Sequence, residues 1–248
     1  MTPRPLPLAV DLSVVVPVHD EEDNVAPLIE EIVAALRGKV AFEILFVDDA
    51  SRDATGDKLR HALDFYPELR VLRHAAQSGQ SAAIRSGVKA ARGSWIATLD
   101  GDRQNDPSDI PKLLAARDAG AARTKLYAGW RVDRKDSGSK RRASTFANSV
   151  RAWLLRDATP DTGCGIKLFE REAFLDLPYF DHMHRYLPAL MQRAGWATVS
   201  VPVNHRARPA GSSKYNNLQR AWVGLADLRG VAWLMRRSSR TAVEELRR

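Results

Sequence analysis

A single cysteine, Cys164, is all the thiol chemistry the 248-residue chain possesses. That excludes an intrachain disulfide and any multi-cysteine metal site, and it fits a reducing compartment. Long apolar runs are also missing. No stretch of about 18 uncharged apolar residues occurs, and Met1-Thr2-Pro3-Arg4-Pro5-Leu6-Pro7 lacks the apolar centre of a signal peptide. A cytosolic protein is expected, free or lying on a membrane surface. Glycine is absent from His19-Asp20-Glu21-Glu22-Asp23-Asn24, the turn after the first apolar run. A dinucleotide fold needs G-x-G-x-x-G there, so nicotinamide and flavin chemistry are disfavoured. His182 and His184 have ligand spacing, but no third histidine or thiolate lies near in sequence, and no zinc site is expected.

What is present suits a globular α/β protein. At 44% hydrophobic residues the chain can bury one large domain or two small ones. The net charge of +8 is unevenly spread: residues 123–156 hold ten Lys and Arg against two Asp, and residues 201–248 hold ten against three acidic residues, leaving −7 for the rest. Basic regions of this kind meet nucleic acid, anionic lipid or a phosphorylated substrate.

Leu12–Val18 is nearly continuous in apolar residues and reads as a buried parallel strand with Pro17 at its end, followed by a helix over Val25–Leu36 that Asp23 or Asn24 would cap. Further strands are expected over 42–47 and 70–73, with helices over 54–65 and 82–92; Ser51 and Asp53 read as helix caps. Strand–helix alternation of this kind makes a mostly parallel sheet covered on both faces. A fourth strand, Trp95-Ile96-Ala97-Thr98-Leu99, then runs into Asp100-Gly101-Asp102-Arg103-Gln104.

That last stretch organises the chain. Residues i and i+2 of an extended backbone point the same way, so Asp100 and Asp102 can face one divalent cation, and hard oxygen ligands suit Mg2+ or Mn2+. Gln104 continues the spacing with a neutral oxygen. Carboxylates also stand at the ends of the first two strands, Asp20 and Glu21, Asp48 and Asp49. Those ends form the edge where open α/β sheets bind ligands, and Asp48 or Asp49 is placed to accept from a ribose or a base. Three acidic loops at one edge repel each other, which calls for a cation and a sugar-bearing nucleotide.

Past residue 119 the character changes. A strand over 126–131 ends in Arg131, and a basic amphipathic helix is expected over 139–156. Asp161-Thr162-Gly163-Cys164-Gly165 suits a loop packed against a ligand, with Asp161 near an acceptor phosphate or a sugar hydroxyl, and strands follow over 166–169 and Ala197–Val203. Arg208 to Lys214 can wrap a diphosphate with charged donors and backbone N–H groups. A last helix over 217–237 has apolar positions stepping by four and three, interrupted by charges, and lies on a surface without crossing a bilayer.

Val16-Pro17-Val18-His19-Asp20-Glu21, Val47-Asp48-Asp49-Ala50-Ser51-Arg52-Asp53, Asp100-Gly101-Asp102-Arg103-Gln104, Gly129-Trp130-Arg131 and Arg208-Pro209-Ala210-Gly211-Ser212-Ser213-Lys214-Tyr215 follow one another at fitting intervals. Together they resemble a family 2 glycosyltransferase of the GT-A fold, of the dolichol-phosphate mannose synthase type of polyprenyl-phosphate glycosyltransferases. The chain departs from that pattern at His19-Asp20, where Tyr-Asn is frequent, at Ala50, where Gly is frequent, and at Gly101, where Ala is frequent. Gln219-Arg220-Ala221-Trp222 does not fit the Q-x-x-R-W of processive polysaccharide synthases.

The resemblance implies transfer of one hexose, with inversion, from a nucleotide-diphosphate sugar to a polyprenyl (dolichyl or undecaprenyl) monophosphate. GDP-mannose is the expected donor and a UDP-sugar the close rival. By similarity Pro17, His19, Glu21, Asp48, Asp49 and Asp100 line the nucleotide-sugar site. Asp100, Asp102 and Gln104 hold Mg2+ or Mn2+, and the catalytic set is Asp102, Arg208 and Lys214. Arg123, Arg131 and Lys140 are the candidates for seating the acceptor phosphate. The implied layout is a disordered tail over 1–11, a catalytic domain over 12–215, an amphipathic membrane-surface helix over 216–237 and a basic tail over 238–248. The protein would sit peripherally on the cytoplasmic face of an anionic membrane beside an integral-membrane partner, with no nucleic acid. The alternatives are a GT-A transferase acting on a saccharide, lipid or protein, a sugar-nucleotide nucleotidyltransferase, and a non-catalytic membrane-surface module.

Overall fold

A computed structural model describes residues 10–132, 151–152, 154–157, 159–206, 217–237 and 244, with side chains of the last helix from residue 224 onward. The strands are β1 (Leu12–Val18), β2 (Phe42–Asp48), β3 (Leu69–Arg73), β4 (Trp95–Thr98), β5 (Thr124–Arg131), β6 (Lys167–Glu170) and β7 (Ala197–Val203). The helices are α1 (Val25–Leu36), α2 (Thr55–Ala62), α3 (Gln80–Ala90), α4 (Ile110–Asp118), α5 (Arg171–Leu175), α6 (Leu187–Ala194) and α7 (Asn217–Arg236).

The strands form one sheet in the order β3-β2-β1-β4-β6-β5-β7. All neighbours are parallel except those of β6, which runs antiparallel to both β4 and β5. Because β6 reverses direction between them, β4 and β5 point the same way, and the carboxyl ends of β1, β2, β4, β5 and β7 share one edge.

Period-two alternation divides the core. Val14, Val16, Ile44 and Phe46 face α1, α2 and α4, where Leu28, Ile29, Ile32, Leu36, Leu59 and Ile110 complete one fully buried cluster. Val15, Leu45 and Val47 face the other way and meet Ile84 and Val88 of α3, Phe174 of α5, Leu190 of α6 and Val231 of α7. The i, i+3, i+4 and i+7 spacing of the apolar residues in α1 makes it helical and amphipathic. Each fully buried Leu or Ile contributes about 2 kcal/mol of transfer free energy.

Several boundaries differ from expectation for local reasons. Asn24 does not cap α1 with its side chain, which is buried and donates to Glu21 Oε2 at 2.7 Å. Helix α2 stops at Ala62, because residues 63–65 tighten into i→i−3 bonds ahead of Pro67. Gly79, at φ 88, sits at the N-cap of α3, which begins two residues earlier than expected. Of the helix expected over 139–156, residues 151, 152, 154 and 155 are described and helical; the remainder, apart from Arg156, lies outside the described residues.

Helix α7 seats Val231 and Ala232 in the second cluster with Leu228 and Met235 against it, while Leu225 and Trp233 stay 46% and 57% exposed. Among the described residues no helix is long and apolar enough to cross a membrane.

Candidate active site

The loops after β1 and β2 are stitched together reciprocally. Asp20, in the left-handed region at φ 52, donates its N–H to Ser51 Oγ at 3.0 Å and accepts Arg52 N–H at 2.7 Å. Glu21 N–H reaches Thr55 Oγ1, Asp53 Oδ2 accepts Glu22 N–H, and His19 Nδ1 lies 2.9 Å from Asp49 O. Asp53 Oδ1 also accepts Thr55 N–H, but it stands one residue before the N-cap position, Ala54, so α2 has no side-chain cap and the expected capping role does not hold. Backbone N–H groups thus satisfy Asp20 and Asp53 and offset the repulsion between these two loops.

The two carboxylates ending β2 have different surroundings. Asp49 is a structural clamp. Its Oδ1 accepts Ser78 N–H and pairs with His74 Nδ1 at 2.7 Å, and its Oδ2 accepts Gly79 N–H. Burial alone would raise its carboxyl, but the bonds from His74, Ser78 and Gly79 outweigh it and hold the group below the ordinary carboxylate range. Asp48 is fully buried and uses only Oδ1, on Ser51 N–H. Its Oδ2 has no hydrogen-bond partner among the described residues, and Arg73 Nε stands 3.5 Å off. A buried carboxylate oxygen left open at a ligand-binding edge fits the N–H or O–H of a nucleoside.

Asp100 and Asp102 lie at the same edge, but not because the backbone is extended. Strand β4 ends at Thr98, and a turn follows with Arg103 at φ 59. Asp100 accepts the Gln80 side-chain amide at 2.9 Å, and its own N–H goes to Asn105 Oδ1. Gly165 lies so close that a Cβ on it would collide with the Asp100 carboxylate, which explains this glycine as a close approach, whereas Gly163 lies beside Arg131 and Asp161. Burial, and then the charge of Asp102, push the Asp100 carboxyl up, with Lys167 and Gln80 opposing. Asp102 is 9% exposed and accepts Gln104 N–H in a tight local turn, and Gln104 O accepts Arg206 N–H.

Behind Asp100 sits a cavity of about 20 Å3, room for a water or two, lined by Gln80, Thr98, Lys167 and His184 among others. Lys167 is buried and donates to Cys164 O, and burial lowers its ammonium. Ser81 Oγ lies 2.7 Å from His184 Nδ1, and burial with the Lys167 charge keeps that imidazole neutral. His182 instead pairs with Asp227 of α7 at 3.0 Å, so the two histidines face different partners.

Arg131 reaches the site from the carboxyl end of β5, locked bidentately on Asp161 at 2.6 and 2.8 Å. Asp161 is thus committed to Arg131. Arg123 does not belong to the site. It precedes the eight-residue β5 at the opposite edge of the sheet, roughly 23 Å away at strand rise, and donates to Gly195 O. A run of basic residues in sequence does not reveal that a whole strand separates its members. Lys140, Arg208 and Lys214 lie outside the described residues. Gln80, Asn105, Lys167 and His184 were not picked out from sequence as site residues, because their approach to Asp100 depends on strand order.

No group of three His, Cys, Asp or Glu suited to a metal occurs among the described residues. Two aspartates are what Mg2+ or Mn2+ needs from a protein when a diphosphate and water complete the octahedron, so the donor set fits such an ion in the presence of a nucleotide.

The profile of glycosyl transferase family 2 matches residues 13–177. The chain is 34% identical over 246 residues to the dodecaprenyl-phosphate galacturonate synthase of Rhizobium johnstonii, covering 94% of this chain and 69% of that protein. It is 33% identical over 208 residues to the undecaprenyl-phosphate 4-deoxy-4-formamido-L-arabinose transferase of Edwardsiella ictaluri, covering 82% of this chain and 62% of that one. It therefore spans roughly two thirds of the length of these relatives. Among solved structures, glucosyl-3-phosphoglycerate synthase of Mycobacterium tuberculosis, in complex with Mn2+, UDP and its product, superposes with a TM-score of 0.68 at 18% identity over 91% of this chain and 80% of that one. Another structure of the same enzyme holds Mg2+ and UDP. The fold is that of a GT-A glycosyltransferase, and the chain belongs to glycosyl transferase family 2.

Proposed function

We propose that the protein transfers one sugar, with inversion at the anomeric carbon, from a UDP-sugar to a polyprenyl monophosphate at a membrane surface. The observation that carries the acceptor class is the 33–34% identity to enzymes named for dodecaprenyl and undecaprenyl phosphate. The donor preference moves from GDP-mannose to UDP-sugars. Those relatives are named for galacturonate and 4-deoxy-4-formamido-L-arabinose, and the fold relatives hold UDP or UDP-glucose.

Each residue then has a task. Asp48 Oδ2 accepts from the nucleoside, with Pro17, His19 and Glu21 around it and Asp49 holding the loop from behind. Asp100 and Asp102, with Gln104 beside them, would hold Mg2+ or Mn2+, which when bound supplies positive charge against the diphosphate as it leaves. Arg208 and Lys214 close over that diphosphate. With a second pKa of about 6, the acceptor phosphate is largely a dianion at neutral pH. One of its oxygens attacks the anomeric carbon as the bond from that carbon to the donor diphosphate breaks, and the electron pair departs with UDP. No general base is required. Arg131, pinned through Nε and Nη2, presents Nη1 to the acceptor phosphate, with Lys140 as its companion.

The exposed face of α7 supports a peripheral seat. Leu225, Arg229, Trp233, Arg236 and Arg237 share it, and Arg237 stacks on Trp233 at 5.3 Å. Apolar and cationic groups together favour an anionic cytoplasmic leaflet, where an integral-membrane partner would take the glycolipid onward.

The test is incubation with Mn2+ or Mg2+, a panel of UDP- and GDP-sugars and undecaprenyl phosphate, with Asp102→Ala and chelator controls. Glycolipid formed from one UDP-sugar, and lost in both controls, is the expected result. Glycolipid from GDP-mannose alone overturns the donor, and transfer to phosphoglyceric acid in place of the lipid overturns the acceptor.

A further inference from the structure

Glu31, on the solvent-facing side of α1, holds two arginines from distant parts of the chain. Its Oε1 accepts Arg103 Nη2 at 2.5 Å and Nε at 3.2 Å, and its Oε2 accepts Arg206 Nη1 at 2.6 Å. Arg103 lies inside the aspartate turn, between Asp102 and Gln104, at φ 59. Arg206 follows β7, pairs also with Asp106 at 2.7 Å, and donates its N–H to Gln104 O. Beside it Asn105 and His205 form an isolated antiparallel bridge, and Asp109 accepts Asn204 N–H at 2.7 Å.

Through these contacts the turn that carries Asp102 is tied to the end of β7 and to α1. We infer that Glu31 is a positioning residue, which through Arg103 and Arg206 fixes the aspartate turn in the orientation that meets the metal-bound diphosphate. This inference rests on the proposed function, since it presumes that the diphosphate binds at Asp102. Three observations support it. A left-handed conformation at a non-glycine residue persists only where the surroundings over-determine it, and Glu31 supplies the anchor for Arg103. Charge-assisted bonds of 2.5–2.6 Å to one carboxylate fix direction as well as distance. The hydrogen bonds of Glu31 go to Arg103 and Arg206, so its influence on the ligand passes through the two arginines.

The test is UDP·Mn2+ binding, followed by Mn2+ electron paramagnetic resonance and by calorimetry, in the full chain and in Glu31→Gln, Arg206→Gln, the double variant and Asp102→Asn. Loss of a group that orients ligands weakens metal binding by roughly 10- to 100-fold. Glu31→Gln is expected near the lower end, with the thermal midpoint close to wild type and the Mn2+ spectrum broadened. The double variant should lose less than the sum of the singles, because both act through one contact. Wild-type affinity in Glu31→Gln, with Asp102→Asn defective, overturns the positioning role and leaves the proposed function standing; strict additivity of the two variants overturns it as well. Absence of UDP·Mn2+ binding by the wild-type chain overturns both.

Discussion

Gln80 donates its side-chain amide to Asp100 Oδ1 across 2.9 Å, joining the first turn of α3 to a carboxylate in the turn after β4. Asp49 anchors the same turn from the other side through Ser78 and Gly79. The orientation of one acidic residue at the site therefore depends on another, 51 positions earlier, that acts only as a clamp.

Replacing Gln80 with Leu removes the donor and keeps the bulk. Activity in kcat/KM should fall roughly tenfold, with a higher Mn2+ requirement and an unchanged melting temperature. Gln80→Glu should lose more, because it sets a second carboxylate against Asp100. Steady-state kinetics across a Mn2+ titration distinguishes the two.

Asp49 links stability to pH. Its folded carboxyl lies below the unfolded value of about 3.9, so the stability it contributes is fully present above about pH 4 and is lost as pH falls through the lower folded value. The melting temperature of the wild-type chain should fall steeply below pH 4. Asp49→Ala should melt lower at pH 7 and show a shallower acid limb in the same series of scans.

Ala50 stands at φ 58, in the left-handed region that disfavours a Cβ. Ala50→Gly removes that cost of about 1–2 kcal/mol and gives back part of it as unfolded-state entropy, for a net stabilisation of about 0.5–1 kcal/mol in urea unfolding. A lower midpoint would show that the Ala50 methyl makes packing contacts worth more than the strain.

Glu43 tests the opposite edge of the sheet. Fully buried, it accepts Ser13 Oγ–H, Arg92 N–H and Arg70 Nη1. Glu43→Ala leaves these donors facing a void and should cost about 3–5 kcal/mol in chemical unfolding. Specific activity per folded molecule should not change, because the network lies a full strand length from Asp100.

The sequence by itself determined the elements and the chemistry. Residues 12–18, 25–36 and 197–203 form the expected strand, helix and strand, because continuous apolar runs and i, i+4 spacing are local properties. Asp48, Asp100 and Asp102 were legible as strand-end carboxylates for the same reason. Only the tertiary structure decided which charges are free to act. Asp48 and Asp49 are adjacent and alike, yet one keeps an oxygen open and the other is consumed by Ser78 and Gly79, a difference set by a loop 29 residues away. Arg123 and Arg131 belong to one basic run, yet β5 carries them to opposite edges. Glu31, an ordinary polar position of an amphipathic helix, became the meeting point of Arg103 and Arg206. Burial, strand order and hydrogen-bond partners come from residues distant in the chain, and these three decide whether a carboxylate binds a ligand or holds the fold.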